Sequence, residues 1–116
     1  MGYNVSLYKI PEELKDKHIN DDMLFNIAYG DDENYLLIDT NFSMGNPASV
    51  DFAEVFDIIL TNNDYFKLYN MSDYHEAKDR LKSLSLDDAL LERISKFLNV
   101  IERELNKDEI LFFCCG

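Results

Sequence analysis

Ile110-Leu111-Phe112-Phe113-Cys114-Cys115 is a short, unbroken apolar run. It reads as a strand buried on both faces, because an exposed face would carry alternate polar residues. The stretch before it has a different period. Leu90, Ile94, Phe97, Leu98, Ile101 and Leu105 recur at three- and four-residue steps, which puts them on one side of a long helix. Glu92 and Lys96 form an i, i+4 pair on its outer side. Ser85 with Asp88 resembles a capping box at its start, and Asn106 ends it.

Further out, Ser72 is placed to cap a helix with Tyr74, Ala77, Leu81 and Leu84 on one face. Tyr65 to Tyr69 reads as a short strand. A helix from Ser49 or Asp51 to about Leu60 carries Phe52, Val55, Phe56, Ile59 and Leu60 inward, with Asp51, Glu54 and Asp57 on another face. Residues 40–49 hold a Gly-Asn-Pro cluster and read as a loop. Tyr35 to Asp39 fits a buried strand or a helix turn equally well. Met23 to Tyr29 is a helix capped from Asn20, Asp21 or Asp22 and stopped by Gly30. Tyr3 to Ile10 alternates with period two and reads as a strand ended by Pro11. Strands thus sit at both ends with helices between. This predicts one α+β domain over residues 1–116, with a small, mostly antiparallel sheet that includes both terminal strands and three to five helices.

The chain has 116 residues, 47% hydrophobic and 29% charged, which is ordinary for one globular domain. No apolar run approaches the length needed to span a membrane, and residues 1–5 lack the features of a signal peptide. Eleven Lys and Arg stand against 23 Asp and Glu, for a net charge of -12. That excess argues against nucleic acid and against anionic membranes as partners. It favours a basic partner. The charge is also uneven. From residue 18 to residue 66 there is no Lys or Arg, while ten acids occur: Asp21, Asp22, Asp31, Asp32, Glu33, Asp39, Asp51, Glu54, Asp57 and Asp64.

No Gly-rich phosphate loop and no Gly-x-Ser-x-Gly elbow is present. Asp31-Asp32-Glu33 lacks the alternating oxygens of a calcium loop, so it reads as a solvated acidic turn. Cys114 and Cys115 have no spaced Cys or His to complete a metal site. They read as free thiols suited to a reducing compartment such as the cytoplasm. His18 and His75 read as surface residues. The sequence implies no catalytic residues, no cofactor and no bound metal.

A small, acidic domain with a long base-free segment resembles bacterial immunity proteins, which neutralise a toxin. The residues that carry the resemblance are Asp51, Glu54, Asp57 and the Asp31-Asp32-Glu33 cluster. It implies a binding inhibitor rather than an enzyme, with a basic toxin, most simply a nuclease, as partner. Carboxylates placed at a Lys/Arg-lined cleft would compete with phosphates. The expected contact set is Asp31, Asp32, Glu33, Asp39, Asp51, Glu54, Asp57 and Asp64, with Tyr35 and Tyr65 as anchors. Tyr29, Phe42 and Tyr69 lie in or beside the same region, and core packing is the alternative role for each aromatic. Alone, the chain is expected to be a monomer or weak dimer. Competing readings are a housekeeping interaction module or oligomer subunit, a nucleic-acid mimic and a carboxylate enzyme. In the oligomer reading, the 110–115 strand pairs through an exposed edge.

Overall fold

The computed structural model describes residues 2–30, 33–61 and 63–116. Its strands are β1 (Gly2–Lys9), β2 (Leu36–Ser43), β3 (Tyr65–Tyr69) and β4 (Leu111–Cys115). They form one antiparallel sheet in the order β2-β1-β4-β3. The helices are α1 (Asp21–Tyr29), α2 (Pro47–Phe56), α3 (Met71–Lys82) and α4 (Asp88–Leu105). The chain is therefore an α+β domain, with both terminal strands at the centre of the sheet.

The apolar run of β4 explains that position. Its five residues are all buried, in alternate directions. Leu111, Phe113 and Cys115 join Val5, Leu7, Phe52, Phe56, Ile94 and Phe97 in the main core beneath α2, α3 and α4. Phe112 and Cys114 join Leu24 and Ile27 of α1 in a smaller core on the opposite face. A strand covered on both faces and paired on both edges has no free edge, so pairing of two copies through the 110–115 strand is ruled out. Phe113 stacks on Phe97, with ring centroids 6.0 Å apart, and meets Tyr69 edge-on at 4.9 Å.

Several boundaries differ from the sequence reading, for local reasons. Strand β2 runs on through Thr40 to Ser43, where a loop was expected. Its partner is far away in sequence: Phe42 lies opposite Tyr3 and packs on Phe52 at 5.1 Å. Tyr35 closes a 3-10 turn (Glu33–Tyr35), and the ambiguous segment after it is strand. Helix α2 starts at Pro47 and stops at Phe56 rather than near Leu60. Asp57 takes the left-handed conformation (φ 56°), and the Ile58 N–H turns back to the Ala53 carbonyl. Ile58 is consequently buried and Ile59 exposed. Asn70, not Ser72, caps α3, through a reciprocal box with Asp73. Asp87, not Ser85, caps α4. Asn106 ends α4 as expected, and Glu92 meets Lys96 at 3.4 Å. Among the described residues, no helix is long and apolar enough to cross a membrane.

Candidate functional site

Helix α2 holds two of the expected contact residues, Asp51 and Glu54, with a third, Asp57, as its C-cap, and is firmly seated. The Asn46 side chain accepts the Ala48 N–H at 3.0 Å, and Pro47 opens the first turn, where its missing N–H costs nothing. Ser49, Phe52, Val55 and Phe56 are buried. At 100° per residue, Val50 and Glu54 fall on the opposite side of the helix, with Asp57 beside them at its end. Val50 is 66% exposed and Ile59, just past the helix, 61%. A cleft of about 440 Å³ opens next to them, walled by Tyr3, Pro47, Val50, Ala53 and Leu60. The result is an apolar depression along α2, with Glu54 next to Val50 on the helical wheel and Asp51 on the flank away from Ala53.

Those carboxylates are not equivalent. Asp51 is half-buried and Glu54 exposed, and neither is in an ion pair among the described residues. Asp57 is partly neutralised by Lys67, whose ammonium lies 3.2 Å from the carboxylate and donates to the Asp57 carbonyl at 2.7 Å. Tyr65 stands close by. It is half-buried against the main core, and burial, then Cys115 and Asp57, push its phenol up.

Asp39 and Asp64 lie elsewhere. Asp39 is opposite Ser6 in the β1–β2 ladder, and Ser6 faces away from the main core, between inward-facing Val5 and Leu7. Asp39 thus belongs to the α1 face. There it borders a polar cleft of about 360 Å³ with Ser6, Tyr8, Tyr29 and Cys114. Asp64 accepts the Tyr29 hydroxyl at 2.9 Å, and the Cys114 thiol lies 3.6 Å from the same oxygen. Burial, then hydrogen bonding to Cys114 and Asp64, holds the Tyr29 phenol well above its ordinary range. Burial likewise raises the Cys114 thiol, so both groups are protonated at neutral pH. Cys115, on the other face, is pushed by burial up to about 12.

Tyr35 is half-buried on the smaller core, beside an apolar cleft walled by Pro11, Leu14, Met23 and Ile27. Asp31 and Asp32 lie outside the described residues, as does the side chain of Glu33. Phe42 and Tyr69 are core residues. Tyr29 is 47% exposed and packs on Phe25 at 4.7 Å.

The base-free segment therefore does not make a single patch. Asp51, Glu54, Asp57 and Tyr65 gather on the α2 side of the sheet, and Asp39 and Asp64 flank a cleft on the α1 side. The register explains the division: β2 pairs at one edge of the sheet, while α1 and α2 cover opposite faces. Val50, Ile59 and Tyr3 complete the α2 site and were not among the expected contacts. Val50 had a signal in the sequence, since it falls outside the Phe52/Val55/Phe56 stripe on the helical wheel. Ile59 had none, because the helix was expected to continue through it. No family model matches the chain, and neither a curated protein nor a solved structure matches it.

Proposed function

We propose that the chain is a binding inhibitor of the immunity type, which captures a basic toxin, most simply a nuclease, through the outer face of α2. One observation carries this reading. An exposed apolar cleft at Val50, Ala53 and Leu60 lies along the same capped helix that carries the unpaired carboxylates Asp51 and Glu54 on its outer side. Apolar area buried at the centre of a contact supplies affinity, and charge at its rim supplies attraction at a distance. A chain of net charge -12 meeting a basic partner would associate fast, on the order of 10⁸ M⁻¹s⁻¹ at low salt. Speed matters to an inhibitor that must reach a toxin before the toxin reaches its substrate. Capture would take place in the cytoplasm, where free Cys114 and Cys115 stay reduced.

The test is affinity capture at low salt from the cell that encodes the chain, using the native protein and the D51K/E54K variant in parallel. The expected result is a basic protein retained by the native chain and lost by the variant. Its purified activity, assayed on DNA and RNA, falls to background at one equivalent of the native chain. Retention by both baits, or a captured protein whose activity is unchanged on binding, overturns the proposal. A housekeeping interaction module would give the second of these results.

A further inference from the structure

The two faces of the sheet are covered unequally. Helices α2, α3 and α4 cover one face, whereas α1 covers only part of the other. Beside α1 the floor of the sheet is polar: Asn4, Ser6 and Tyr8 of β1, with Asp39 and Asn41 of β2. The cleft over this floor, about 360 Å³, lies at the lower end of the range of roughly 300–1,000 Å³ common for ligand sites.

Its chemistry is one-sided. The Tyr8 hydroxyl donates its proton to the Ala28 carbonyl at 3.1 Å, and Tyr29 donates its own to Asp64. The Tyr8 oxygen is thereby left with lone pairs to offer rather than a proton, whereas the Tyr29 oxygen already accepts the Cys114 thiol at 3.6 Å. Asp39 is exposed and forms no ion pair among the described residues. Among the described residues, no Lys, Arg or His lines the cleft. Arg93 donates to the Asn41 carbonyl at 3.1 Å, but its guanidinium sits over the Phe42 ring at 4.9 Å, on the other face.

The ladder also fixes the width. Asp39, Ser6, Cys114 and Phe66 stand in a row across the four strands. At about 4.8 Å per strand, the walls carrying Asp39 and Asp64 are roughly 14 Å apart. One small cation would therefore meet Asp39, Ser6 and Tyr8, with Tyr29 and its bound Asp64 as the far wall.

We propose that this cleft is a second binding site, separate from the α2 face, for one guanidinium or alkylammonium group the size of a basic side chain. Asp39 supplies the countercharge, and the hydroxyls of Ser6 and Tyr8 supply acceptors. The site does not depend on the inhibitor reading, because any protein-borne or free organic cation of this class meets the same groups.

The experiment is a titration of the ¹⁵N-labelled chain, followed by its amide resonances. The probes are N-acetylarginine amide, putrescine and, as an uncharged control, N-acetylcitrulline amide. A single site of this kind binds on the order of millimolar. The expected result is saturable shifts at Ser6, Tyr8, Asp39, Asn41 and Gly116 with the cationic probes, and none with citrulline. D39N should weaken binding by about tenfold, the effect of losing the site's one countercharge. D51N/E54Q should leave it unchanged. Tighter binding of the arginine probe assigns a protein side chain as the source, and tighter binding of putrescine a free amine. Shifts that spread equally over α2, persist in D39N, or appear with citrulline overturn the site, as does the absence of any shift. None of these outcomes bears on capture through α2, which D39N leaves intact.

Discussion

Tyr69 shows how one hydroxyl holds two layers together. It is 2% exposed, and it donates to the Phe56 carbonyl at 2.9 Å, at the point where α2 ends. Its ring meets Phe113 and Phe56. Tyr69→Phe keeps the ring and orphans the carbonyl, so chemical denaturation should show a loss of about 1–2 kcal/mol with unchanged slope. Cys115 gives a test in pH. Its folded thiol is raised by burial to about 12 from an ordinary value of 9.0. The folded state therefore holds a proton that the unfolded chain releases. The stabilisation is complete below pH 9 and drains away as pH rises above it, by about 1.4 kcal/mol per pH unit for this group. Cys115→Ala should be less stable at pH 7, yet lose stability more slowly between pH 9 and 10.5. Equal slopes in the two proteins would show that the thiol does not titrate this way. Glu104 works in the opposite sense. Burial alone would raise its carboxyl, but Lys107 at 3.2 Å and Arg103 at 3.4 Å outweigh burial and lower it. Its contribution is present at neutral pH and lost in acid.

The elements differ in how openly the sequence announces them. Helix α4 is legible because six apolar residues keep one period over five turns, and β4 because its short run has no polar face. Caps are harder. Asn70 and Ser72 are both good capping residues, and only the position of Asp73, three residues after Asn70, separates them. Asn70→Ala should cost about 1 kcal/mol in thermal or chemical unfolding, and Ser72→Ala only a few tenths. Similar losses from both would return the cap to Ser72. Strand β2 was obscured for another reason. Gly45-Asn46-Pro47 is strong local punctuation, whereas the pairing of Gly2–Val5 with Thr40–Ser43 is non-local and leaves no mark in a short window. The α2 carboxylates were legible from helical spacing alone. Their separation from Asp39 and Asp64 was not, because it depends on which face of the sheet each helix covers.

For the whole molecule, the net charge of -12 acts through two faces rather than one. Asp57 is partly spent on Lys67, so Asp51 and Glu54 carry the unpaired charge of the α2 face. Ion pairs such as Lys82–Asp79 and Lys96–Glu92 are exposed and contribute little to stability, about 0–1 kcal/mol each. They do moderate the field over α3 and α4 and leave α2 the more negative approach. The most direct measurement is the association rate with the captured basic partner, taken from 50 to 500 mM salt for the native chain and for D51K/E54K. The native rate should fall by about tenfold or more across this range, and the variant should start slower and respond weakly to salt, with its thermal midpoint nearly unchanged. A native rate indifferent to salt, or a variant that associates as fast as the native chain, would contradict electrostatic capture through α2.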